Sequence, residues 1–313
     1  MEAWLLFALS GLSYGLLLFL LSAGLTLIYS LMGVLNFAHA AFYMLGAYLG
    51  ASVAPRWGFG AALVLSPLAV GLLGAALERW VLRRIQGRGH VPELLMTLGW
   101  SYCLVELVQA VWGRAPLSVA LPPALAGAWW VGGVPLSVLR LTLMAVSLAV
   151  LLLLWGLARS NSALVIRAAL TQPAMAQALG HDVPALKTRV FGLGCALAAL
   201  AGVMGGMAFV TEPGMAEAMG ALVFVVIVVG GVGSLGGAFV ASLGVGLLQT
   251  ACVHWDWALA DVWPQRWWGA APWADRLRLS QFAPVLPFAL MVAVLVWRPQ
   301  GLWGWSGRSV RHD

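Results

Sequence analysis

The chain has 313 residues, of which 62% are hydrophobic and 9% charged, and its formal net charge is +6. Soluble domains carry about 25% charged residues, so a soluble fold is excluded. The apolar runs are too long and continuous for the alternating strands of a β-barrel. The 17 basic residues are spread over the polar connections rather than gathered on one face, which suits membrane orientation and argues against nucleic-acid binding.

These features predict an all-α, polytopic transmembrane helical bundle of about eight or nine spans, a single domain over 1–313. The first span is expected at 4–29; MEAW lacks a basic n-region and the run is long enough to span, so no cleavable signal is expected. The second lies at 38–53, after Asn36 and beginning around His39, and ends at Pro55-Arg56-Trp57. The third, 61–80, runs into a basic connection with Arg79, Arg83, Arg84 and Arg88. The fourth, 94–112, carries Glu106, and a Pro- and Trp-bearing loop leads to the fifth at 139–157.

A polar stretch of the length of 158–189 in so apolar a chain must reside in water. Its segment 168–179 is rich in Ala, Leu, Gln and Met, all good helix formers. Met175, Ala178 and Leu179 stand at i, i+3, i+4, with Pro173 as a first-turn residue and Gly180 as a stop. The reading is a short amphipathic helix on a cytoplasmic loop that offers an apolar stripe to a partner. An interfacial helix lying on lipid is the alternative.

Beyond it a sixth span is expected at 190–210, broken by Glu212-Pro213-Gly214. A short piece at 219–229 meets GGVGSLGG, and 238–253 follows. The loop 254–281 holds Trp255, Trp257, Trp263, Trp267, Trp268 and Trp273 among Asp and Arg, a mixture typical of the membrane–water interface. The last span is 282–297. Alternating sides from an external N-terminus leaves 11 of the 17 basic residues inside and 6 outside, as the positive-inside rule requires.

Catalytic and nucleotide-binding signatures are missing from the sequence. Lys187 is the sole lysine and neither GxxxxGK[ST] nor HExxH occurs; the one GxSxG string, Gly11 to Gly15, lies inside the first apolar run rather than at a strand-to-helix turn. Cys103, Cys195 and Cys252 lack metal-ligand spacing and read as small buried residues; no metal site is expected. Asn36, His39 and Glu106 are the polar residues placed at membrane depth, where a charge costs roughly 2.5–3.5 kcal/mol on insertion scales and tends to face a bundle interior or cavity. Their bland roles are a helix cap for Asn36, a bond to a neighbouring span for His39 and a hydrogen-bond hub with Gln109 for Glu106. Two Gly-interrupted stretches, 33–50 and 230–246, share a faint likeness (LGAYLGAS against GGAFVASLG). Paired interrupted helices of this kind form transporter sites. The expected substrate path therefore runs between Asn36, His39 and Glu106 on one side and Gly230, Gly231, Gly233 and Ser234 on the other. The competing reading is a membrane-embedded enzyme using Glu106, His39 and Glu212.

GLTLIYSLMGVLNFAHAAFYMLGAYLG (24–50), ERWVLRRIQGR (78–88), TLGWSYCLVELVQAVWG (97–113), RAALTQPAMAQALGHDV (167–183), VVGGVGSLGGAF (228–239) and LVWRPQGLW (295–303) together resemble the branched-chain amino acid ABC transporter permeases of the LivH-like group. The likeness covers almost the whole chain, in the right order. It implies an inner-membrane subunit that pairs with a second, related permease, two cytoplasmic ATP-binding subunits and a periplasmic substrate-binding protein, with lipid around it. ATP would be bound by those partners, leaving this chain without a cofactor. Arg167, Ala168, Met175, Ala178, Leu179 and Gly180 would form the segment that docks on the ATPase. Two departures bear on substrate: Ala40 and Ala41 stand where the family has Gly-Glu, and Leu222 where many members carry lysine. Related systems carry urea, amides or aromatic acids.

Overall fold

A computed structural model describes residues 2–86, 88–118, 121–123, 125–131, 134–160, 165–166, 168–169, 172–257 and 278–303. Nine apolar helices among them match the nine predicted segments in order: α1 (Glu2–Met32), α2 (His39–Trp57), α3 (Phe59–Leu77), α4 (His90–Trp112), α5 (Val138–Ala158), α7 (Val183–Ala208), α8 (Met215–Gly230), α9 (Leu235–His254) and α10 (Leu286–Trp297). The short α6 (Pro173–Ala178) lies between α5 and α7. Six stretches are helical, long and apolar enough to cross a membrane; α8 and α10 are shorter. The sequence reading ends the third span at 80. Instead α3 continues through a π-helical turn, Glu78–Leu82, into Arg83–Ile85, so Arg79, Arg83 and Arg84 ride on a helix.

The bundle is organised around α7. Of its most apolar window 83% is buried, against 17% for α4 and 22% for α5. Glycines on α7 and its neighbours let backbones meet where side chains would hold them apart. A Cβ at Gly74 of α3 would sit 2.5 Å from Cys195 Sγ, and one at Gly24 of α1 would sit 2.5 Å from Gly194 O. On α7 itself, a Cβ at Gly202 would overlap the carbonyl of Tyr43 in α2. The α1–α9 contact is made the same way, through Gly11, Gly15 and Gly246.

The start of α2 departs from a simple up-and-down bundle. Gly33, at φ +66°, turns the chain back after α1. His39 Nε2 then lies 2.9 Å from Leu21 O, which places the first residue of α2 well inside α1 rather than at its end. The six connecting residues are therefore non-helical backbone set among helices. Such backbone persists at membrane depth only where it is buried in protein or lines a cavity.

One end of the bundle carries α6; the other carries the N-terminus and an antiparallel hairpin, β1 (Ala128–Val131) with β2 (Val134–Ser137), paired Trp129↔Leu136. The sequence reading treats that hairpin as loop. A Leu117–Thr211 bridge ties the preceding segment to the end of α7. The Trp-rich loop is closed at its base: Arg278 Nη1 donates to Asp256 Oδ2 (2.9 Å) and Leu279 N donates to Trp257 O (3.0 Å). Residues 258–277, with Trp263, Trp267, Trp268 and Trp273, lie outside the described residues.

Candidate functional site

A cavity of about 610 Å³ opens between the re-entrant segment, α2, α4 and α8, with Phe288 of α10 at its edge. Asn36 and His39 both line it. Asn36 is 2% exposed, and its Oδ1 accepts from Ala38 N (3.0 Å), which folds the turn into α2. Its Nδ2 has no partner. The other face of the turn is held by Thr97 of α4, whose Oγ1 accepts from Phe37 N at 3.3 Å. His39 donates from Nε2 to the Leu21 carbonyl, since that oxygen can only accept, and Nδ1 is left as an unpaired acceptor. His39 thus bonds a neighbouring span as expected, whereas Asn36 braces the turn ahead of α2 rather than capping the helix, whose N-cap is Ala38; each retains a spare polar atom.

The rest of the lining is largely aliphatic and aromatic: Leu25, Leu35, Leu98, Val105, Val223 and Phe224. Ser101, Tyr102 and Gln109 of α4 add hydroxyls and an amide. Glu217, in the first turn of α8, is the one carboxylate on the wall, and no Lys or Arg is present there. The sequence reading passed over Glu217. An acid in a helix first turn reads as a macrodipole partner, and nothing local marks it as facing a cavity.

The remaining path residues sit elsewhere. Glu106 is exposed on α4 and does not line the cavity. Gly230, Gly231, Gly233 and Ser234 form the tight turn between α8 and α9 at the α6 end. Gly231 and Gly233 take φ of +99° and +84°, Ser234 Oγ accepts from Gly237 N, and a Cβ on Gly233 would meet Tyr29 and Ser30 of α1. They do not face Asn36 and His39, because Gly230 and Gly237 are consumed in bringing α8 and α9 together. The two Gly-rich stretches do not face each other across the cavity either: Gly46 packs on Ala199 of α7, and Gly246 on Gly15 of α1. Glu106, His39 and Glu212 likewise form no cluster, Glu106 facing outward and His39 being bound to Leu21.

Of the departures from the family pattern, Ala40 lines the cavity, Ala41 is fully buried in the core, and Leu222 packs with the cluster of α8, α9 and α10.

The second site is the α6 segment. Pro173 occupies its first turn, and it ends in a complete Schellman motif: Gly180 (φ +87°) donates to Gln177 O (2.9 Å), and His181 donates to Ala176 O (3.1 Å). Ala176 is buried against Ala169 and Val183, which roots the helix on the body. Met175 and Leu179 are 62% and 74% exposed, and Ala178 is exposed beside them. Within α6 only Ala176 takes the inner face, and Met175 and Leu179 point out. Ala168 is exposed; Arg167 lies outside the described residues. Directly behind α6, buried Glu78 on the π turn accepts from Thr188 Oγ1 (2.6 Å) and from Arg83 Nη2 (3.2 Å), and the same guanidinium reaches Pro184 O (2.8 Å). The start of α7 and the end of α3 are thereby joined beside α6. Asp182, accepting from Ala185 N, caps α7 at the same place.

The chain is 28% identical to the high-affinity branched-chain amino acid transport system permease protein BraD of Pseudomonas aeruginosa, over 94% of each chain. It is 26% identical to the permease protein LivH of Escherichia coli K12, again over 94% of each. To the probable branched-chain amino acid transport permease protein LivH of Methanocaldococcus jannaschii it is 25% identical, over 96% of this chain and 92% of that one. No solved structure matches it. With its nine apolar helices, its open cavity and a match from residue 7 to residue 297, this chain is a multi-pass membrane permease and belongs to the family of branched-chain amino acid transport system permease components.

Proposed function

We propose that this chain is the membrane subunit of a binding-protein-dependent ABC importer that moves branched-chain or related amino acids inward across the inner membrane. The supporting observation is the outward-facing Met175–Ala178–Leu179 stripe on a helix rooted by Ala176. Exposed apolar side chains on a capped, anchored helix are suited to a groove in a cytoplasmic ATP-hydrolysing subunit. Two such subunits, a second related permease and a periplasmic binding protein complete the assembly. In this orientation the hairpin end and the N-terminus face the periplasm. The cavity supports the substrate class: its aliphatic walls fit a branched side chain, and Ala40 leaves a methyl group on the wall.

The test is a Met175→Asp, Leu179→Asp double substitution. It should abolish both uptake and recovery of the ATPase subunits with the purified permease, while membrane insertion stays at the unmodified level. Normal ATPase recovery with the doubly substituted chain would overturn the docking reading.

A further inference from the structure

We infer that Glu217 is the ammonium contact of the transported amino acid, the first of two successive polar stations along the cavity, of which Asn36 is the second. This rests on the importer reading above and names the chemistry by which the cavity recognises its cargo.

Glu217 stands in the first turn of α8, towards the hairpin end, and has no ion-pair or hydrogen-bond partner among the described residues. Its carboxylate borders a cavity whose walls carry no cation. At the other end, Asn36 is 2% exposed with an unpartnered Nδ2 donor, on the same cavity wall. Buried amide donors are nearly always paired in folded proteins, so a donor left over at a cavity is a place for an acceptor to arrive.

The two stations are separated. Phe37, next to Asn36, stacks on Phe224 with ring centroids 6.4 Å apart, and Phe224 lies seven residues beyond Glu217 on α8. At 1.5 Å per residue that is about 10 Å of helix between the two backbone positions, so the stations lie at different levels of the cavity. Glu217 therefore takes the ammonium first, by a charge-assisted hydrogen bond. Ser101, Tyr102 and Gln109 across the cavity supply neutral donors to the carboxylate, which passes next to the Asn36 amide. Neutral donors hold a carboxylate weakly, and a conduit needs sites that release as readily as they bind. The same arrangement disfavours cargo without a cation: urea, simple amides and carboxylic acids meet an uncompensated carboxylate at the first station.

The experiment uses the full complex in proteoliposomes, with uptake of labelled leucine and ATPase activity measured per assembled complex. Glu217→Gln should lower uptake about tenfold, the worth of one hydrogen bond to a charged group, with ATPase activity and complex recovery kept. Glu217→Asp should restore much of the loss, which a role confined to the backbone would not require. Equal uptake by the unmodified and Glu217→Gln complexes would overturn this inference and leave the importer reading standing. An unmodified complex that carries urea or an aromatic acid but no amino acid would overturn both.

Discussion

Helices α7 and α4 are both long and apolar, yet they are held in opposite ways. Glycines at 192, 194, 202, 205 and 206 let α1, α2 and α3 reach the α7 backbone, and 83% of its apolar window is buried. On α4, with 17% buried, a Cβ on Gly99 would touch nothing, and Tyr102, Leu107 and Val111 are exposed. The cavity lies on the boundary, with α1, α2 and α8 supplying one wall and α4 the other. The cavity thus sits where the closely interlocked helices meet the most exposed one.

The comparison is broken most directly by adding volume. Gly202→Val drives a side chain into the Tyr43 carbonyl, which cannot rotate away. It should cost at or above the roughly 1–3 kcal/mol typical of overpacking and largely abolish recovery of folded protein. Gly99→Leu should stay within about 0.5 kcal/mol, read as an unchanged unfolding temperature in detergent. A large loss from the α4 substitution would mean that its face is packed as tightly as α7.

A smaller effect is expected where the interlocked frame meets the α6 segment. Thr188→Val keeps the shape but removes the hydroxyl that donates to Glu78, whose Oε1 already lacks a partner. About 1–3 kcal/mol of stability should be lost, checked by thermal unfolding. An unchanged transition would show that water serves Glu78 as well as threonine does.

The smallest effect belongs to the exposed clasp of the Trp-rich loop. Hydrogen bonds from Ser280, and then the Arg278 guanidinium, hold the Asp256 carboxyl below its ordinary value. A lowered value means that the clasp contributes above the ordinary carboxylate range and fades as pH falls through the folded-state value. Amide exchange at Leu279, corrected for its intrinsic rate, should lose protection on acidification. In Asp256→Asn that pH dependence should vanish, and if it persists another group governs the clasp.

Much of this architecture was readable in the residues. Continuous apolar runs set the nine helices, and Pro173 with Gly180 bracketed α6, because helix starts and stops are local chemistry. The side of α6 that faces out was readable from the stripe, but what roots it was not, since Ala176 meets Val183 only in the folded chain. Glu106 illustrates the converse: an acid in a span draws attention, yet only the packing decides which way it faces. The glycines of 230–237 advertised an interruption and proved to make a turn, while the interruption that borders the cavity, at 33–38, carried only Gly33 and Asn36 as signals. Glu78 was hidden for a similar reason, since a basic run after a span reads as loop until α7 is laid beside it.

The re-entrant segment also constrains the order of membrane assembly. Because α2 starts alongside Leu21 rather than at the far end of α1, it cannot be threaded as an independent stop-transfer span. The amide of Phe37 finds its acceptor on Thr97, sixty residues later in the chain, and an unsatisfied amide in hydrocarbon costs several kcal/mol. During synthesis, therefore, 33–38 is best kept in a hydrated or protein-lined vestibule until α4 emerges. Pairing of the polar turn thus waits on α4, and the cavity beside it is completed only when α8 supplies its share of the wall.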